Sequence, residues 1–129
     1  MAKMVGVWIH VHPRRRLADD VVLTVGATLL MSEAEVRKIG LGLLPIDIQI
    51  RDRDFPGFDD RVHIATFHCA AHQVGPNHFH TEVIVPHSEV EDSEPWFERT
   101  AELYARLRGN SIDLSTNWAS SQMEHVRFK

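Results

Sequence analysis

Ser93-Glu94-Pro95-Trp96-Phe97-Glu98-Arg99-Thr100-Ala101-Glu102-Leu103-Tyr104-Ala105-Arg106-Leu107-Arg108-Gly109 is the stretch on which the fold class turns. Ser93 suits a helix N-cap. Glu94 and Pro95 suit a first turn, where a proline gives up no hydrogen bond because the amide has no intrahelical acceptor. Phe97, Ala101, Tyr104 and Arg108 recur at helical spacing, and Leu103 and Leu107 widen the apolar stripe. Glu102 and Arg106 form an oriented pair one turn apart. Arg106 and Arg108 fall where the helix dipole favours cations, and Gly109 ends the run. A strand reading of Leu103, Ala105 and Leu107 exists, but the caps favour a helix over 94–108.

Working outward, Ser32-Glu33-Ala34-Glu35 is a capping box, which predicts a short helix over 33–39 with Gly40 as its stop. Val5 to His12 alternates as a strand, with Val5, Val7, Ile9 and Val11 on one side and Gly6, Trp8, His10 and His12 on the other. Val21 to Met31 is apolar on both faces and reads as a central strand. Ile46, Ile48 and Ile50 alternate with Asp47, Gln49 and Arg51. Further strands are expected from Arg61 to His72, up to Val85, and from Gln122 to Phe128, with Pro86 to Asp92 as an acidic loop. The expected order is β-β-α-β-β-β-α-β. It implies an α+β fold, an antiparallel β-sheet of about five to six strands with helices covering one face. The alternative is a β-sandwich in which the short helix is decoration.

With 129 residues, 43% hydrophobic and 25% charged, the chain reads as one globular domain spanning 1–129. A formal charge of −4 argues against a nucleic-acid partner. The one basic run, Arg14-Arg15-Arg16, reads as a solvated turn. Cys69 has no partner for an internal disulfide and sits on an apolar face, so it reads as a buried structural thiol in a reducing compartment. The first residues lack a signal-peptide layout and no run has membrane-span length, so a cytoplasmic protein without a membrane partner is expected.

The chemistry concentrates between Thr66 and Val83, where two strand-like runs flank Gly75-Pro76-Asn77. Because strand side chains alternate faces, His68 and His72 share one face, as do His78, His80 and Glu82. Ala65, Phe67, Cys69 and Ala71, then Phe79, Thr81, Val83 and Val85, form the opposite, buried faces. If Gln73 to Asn77 closes a hairpin, His72 lies opposite His78, Ala70 opposite His80, and His68 opposite Glu82. Imidazoles in this arrangement suit zinc or iron: His72, His78 and His80 as the metal ligands, with Glu82 or His68 as the catalytic group handling protons. The corresponding activity is that of a metal-dependent lyase, isomerase or hydrolase acting on a small polar molecule. The other reading is a non-catalytic binding or oligomer-assembly module whose histidine face is an interface. A homo-oligomer is expected. Trp8 would add an aromatic wall if its strand adjoined the hairpin.

Three local motifs resemble known families. Pro76-Asn77-His78-Phe79-His80 resembles the Pro-x-His-x-His start of the first cupin motif. Ala70-Ala71-His72, followed by His78 and His80, is similar to the zinc triad of pyruvoyl-tetrahydropterin synthases. Asp52, Asp54 and Asp60, with Asp59 beside the last, are similar to a calcium loop of C2 domains, which implies calcium as a second candidate cofactor. Each resemblance is confined to the residues quoted.

Overall fold

The computed structural model describes residues 2–40, 42–53, 59–71, 73–92 and 98–129. Within them the order is β1 (Lys3–Val11), β2 (Val21–Met31), α1 (Glu33–Ile39), β3 (Leu44–Arg53), β4 (Asp59–Cys69), β5 (Gly75–Val85), α2 (His87–Asp92), β6 (Thr100–Gly109), β7 (Ala119–Ser120) and β8 (Glu124–Arg127). The strands form two sheets. One has the order β1-β2-β5; the other has the order β4-β3-β6-β7, with β8 also pairing β6. Every pairing is antiparallel.

The α+β expectation is overturned. The structure is mostly β, and residues 100–108 of the expected long helix lie in a strand at the centre of the second sheet. The expected caps, Ser93, Glu94 and Pro95, lie outside the described residues. Ala101, Leu103, Ala105 and Leu107 are fully buried, while Glu102, Tyr104, Arg106 and Arg108 alternate with them at intermediate exposure. Side chains four apart share a face in a helix and in a strand alike, so Glu102 and Arg106 fit both. The strand wins because β3 pairs β6 on one side and β7 and β8 pair it on the other, so a buried ladder overrides local propensity. The second helix lies in the expected acidic loop instead, as the short α2.

Two elements match their sequence signals closely. β2 spans Val21–Met31 and is the middle strand of its sheet. α1 spans Glu33–Ile39 behind a complete capping box: the Ser32 amide donates to Glu35 Oε1 at 2.9 Å, and the Glu35 amide donates to Ser32 Oγ at 3.3 Å. Burial alone would raise the Glu35 carboxyl, but its bonds to the Ser32 amide and hydroxyl outweigh that and hold it below the ordinary glutamate value.

The two sheets face each other across one core. Leu23, Val25 and Leu29 of β2 belong to the same buried cluster as Leu44, Ile46, Ile48 and Ile50 of β3 and Leu103 and Leu107 of β6. Phe67 of β4 stacks on Phe79 of β5 with ring centroids 5.8 Å apart. β4 and β5 belong to opposite sheets, so the chain changes sheet between Cys69 and Gly75. The expected hairpin does not form.

Candidate functional site

The outer face of the β1-β2-β5 sheet gathers most of the sequence's candidate groups. In β5, His78, His80 and Glu82 point outward and are exposed, while Phe79 and Val83 are buried. This is the alternation expected from the sequence, but the neighbours differ. His78 lies opposite Thr28, His80 opposite Gly26 and Glu82 opposite Thr24, all on β2. β1 continues the rows, with Trp8 opposite Gly26 and His10 opposite Thr24.

A bulge in β1 bounds this arrangement. Val5 pairs with Thr28 and Trp8 with Gly26, so three steps on β1 answer two on β2. Gly6 takes a φ of 61° there, a conformation glycine adopts without steric cost. The bulge reverses the alternation, burying Met4 to 1% exposure and placing Val5 in register with the outward Thr28. The sequence expectation that Val5 shares a face with Val7 fails for this reason.

Gly26 is the seat of the site. A Cβ built on it would lie 2.4 Å from the Trp8 indole, so only glycine lets that ring settle against β2. Trp8 nevertheless stays 40% exposed. The sequence reading missed this pairing, and the available signal was the glycine inside an otherwise apolar central strand. Gly26→Ala is expected to push the indole off the sheet into water, shifting its fluorescence to longer wavelength at a stability cost of about 1–3 kcal/mol. Unchanged emission and an unchanged melting curve would show that the ring is not held there.

Hydroxyls on β2 orient the imidazoles around this seat. Thr28 Oγ1 lies 2.8 Å from His78 Nδ1, and Thr24 Oγ1 lies 2.6 Å from His12 Nε2. His10 and His12 meet edge to face, with centroids 5.1 Å apart. The bond to Thr28 leaves Nε2 of His78 for an outside partner.

The remaining candidates lie elsewhere. His68 is exposed on the outer face of β4, opposite Pro45, so the core separates it from Glu82. His72 lies outside the described residues. Among the described residues, no group of three or more His, Cys, Asp or Glu side chains is placed to hold a metal ion. Cys69 is buried and free, and burial pushes its thiol pKa up, which disfavours the nucleophilic thiolate.

Of the calcium candidates, Asp52 is fully buried at the end of β3 and accepts from the Glu102 amide at 3.2 Å. Asp60 is its register partner on β4, and Asp54 lies outside the described residues. Arg14, from the basic run, donates to the carbonyls of Leu17 and Asp19, each at 3.3 Å, and to that of Arg127. It ties its loop to the last strand.

No protein-family description matches this chain, and no curated protein matches it in sequence. Among the described residues, no helix is long and apolar enough to cross a membrane.

Proposed function

We propose that this chain is a non-catalytic binding module and that the outer face of the β1-β2-β5 sheet is its contact surface for another protein. The observation that carries the reading is Trp8, seated on Gly26 yet 40% exposed, at the middle of a face that no described element covers. Leu30 at 37% and Ile84 at 53% exposure extend the apolar area on β2 and β5, and His10, His78, His80 and Glu82 supply a polar surround. Exposed aromatic area with few fixed charges, ringed by polar groups, is the composition of a protein-contact patch.

A second reading keeps the metal-dependent lyase, isomerase or hydrolase. It is favoured by His78 and His80, exposed two residues apart on one strand, with a Thr28 hydroxyl fixing the first ring and Glu82 next along the face. Metal content separates the two readings. Protein purified without a histidine tag is expected to carry no stoichiometric zinc or iron. One equivalent of metal, lost in a folded His78→Ala, His80→Ala variant, would overturn the binding-module reading in favour of the metal site.

A further inference from the structure

We infer that a second copy of this chain docks antiparallel on the free edge of β5 with the two-fold axis at His80, which continues the outer face of the β1-β2-β5 sheet across both copies. The inference rests on reading this sheet as a contact surface, and it adds a second contact at its edge, with occupant and register, beside the Trp8 face.

β5 is an edge strand. It pairs with β2 over its whole length from Gly75 to Val85 without a register shift, and among the described residues no other strand bonds to it. The other edge of the same sheet is blunted: β1 carries the Gly6 bulge and Lys3. β4, an edge of the other sheet, is interrupted by a register shift at Ile50/Arg51 of its partner β3. Edges left long and regular pair readily with another chain.

The hydrogen-bond alternation shows which residues face that edge. The His12 amide donates to the Val22 carbonyl at 2.9 Å, so Val22 and the residues two and four further on, Thr24 and Gly26, turn their backbone groups toward β1. Leu23, Val25, Ala27 and Leu29 consequently turn theirs toward β5. Their register partners are Val83, Thr81, Phe79 and Asn77. His78, His80, Glu82 and Ile84 are left presenting backbone N–H and C=O at the open edge. Pro76 falls in the same series, where a residue without an amide hydrogen costs the parent sheet nothing and limits the new ladder.

Side-chain chemistry then selects the register. An axis at His80 sets His80 against its own copy, His78 of each chain against Glu82 of the other, and Pro76 against Ile84. Acid meets base twice and apolar meets apolar twice. An axis at Glu82 opposes two carboxylates. An axis at Thr81 matches Glu82 with His80 but sets His78 against Ile84. An imidazole directly across from a carboxylate can share a hydrogen bond with it, whereas two carboxylates placed opposite each other repel. The interface is self-complementary, as a two-fold contact requires.

Sedimentation velocity on the untagged chain over a micromolar concentration series tests this. The parent is expected to form a dimer. Glu82→Lys is expected to weaken it by at least about tenfold in Kd with an unchanged β-type circular dichroism spectrum, because Glu82 is exposed. The charge swap His78→Glu with Glu82→His is expected to restore the dimer, which it does only in the His80-centred register. A parent that stays monomeric, a Glu82→Lys variant that still dimerises, or a swap that stays monomeric would each overturn the inference. A monomeric, metal-free parent would leave the binding-module reading standing with a different partner.

Discussion

Ala105→Asp is expected to leave the chain unfolded under conditions where the parent is native, read as loss of the β-type circular dichroism and of the cooperative melt. Ala105 is fully buried at the middle of β6. It sits opposite Ile50 of β3 on one side, and on the other its amide donates to Ser121 Oγ at 3.0 Å while its carbonyl accepts from the Ser121 amide at 2.9 Å. A carboxylate there would enter the buried apolar cluster that holds Ile48 and Ile50. The effective penalty for an unpaired buried ion is several kcal/mol, and total stability for a domain of this kind is about 5–15 kcal/mol. The control is Tyr104→Ser. Tyr104 is the centre of the helical stripe, but in the strand it turns outward opposite Arg51, so its loss is expected to cost only about 1 kcal/mol. A helix over this stretch would make Tyr104 the more sensitive of the two. Comparable losses in the two variants would refute the strand.

Phe128→Ala is expected to cost about 3–5 kcal/mol and to lower Tm by roughly 10–20 °C. The ring is among the largest fully buried side chains, at 2% exposure. It approaches the His87 ring of α2 at 6.4 Å, while its amide donates to the Arg99 carbonyl at 2.9 Å. One residue therefore joins the last strand, the start of β6 and the short helix. Chemical denaturation with an unchanged slope would measure the loss directly. A change below about 1 kcal/mol would mean that the ring does not belong to the core.

Much of the strand content was legible in the sequence, because β-branched runs and alternation specify local conformation strongly. Val21 to Met31 and the capping box at Ser32 were read with their limits. The helix over 94–108 was not a failure of pattern recognition. Residues four apart share a face in both conformations, and pairing with β3, β7 and β8 decided between them. That pairing depends on distant residues.

The histidine face was legible only in part, for a related reason. Alternation correctly put His78, His80 and Glu82 on one side of β5 and Phe79 and Val83 on the other. It also turned Phe67 and Cys69 of β4 to the core side, where Cys69 is buried and Phe67 partly so. But two strands can bring their apolar sides together by lying in one sheet or by facing each other across a core. The outward side chains converge in the first case and diverge in the second. Phe67 stacked on Phe79 is the contact that distinguishes these arrangements, and it parts His68 from Glu82. Trp8 and His10 took the side that alternation gives them. The one-residue bulge displaced only the start of β1, turning Met4 inward and Val5 outward, which a strict period of two cannot anticipate.

The change of sheet between β4 and β5 also shapes how the chain must assemble. β1 with β2, and β3 with β4, are successive strands whose ends can meet early at small entropic cost. β5 has no such neighbour. It departs from β4 and must find β2 across the intervening helix and hairpin, with His80 reaching back to Gly26. Until it arrives, the middle strand of the first sheet stands open along one side. Topologies dominated by such distant pairings fold slowly and leave unpaired edges exposed while they do. The same crossing that holds the two faces apart in the finished molecule makes β5 the strand that closes the first sheet through a distant pairing.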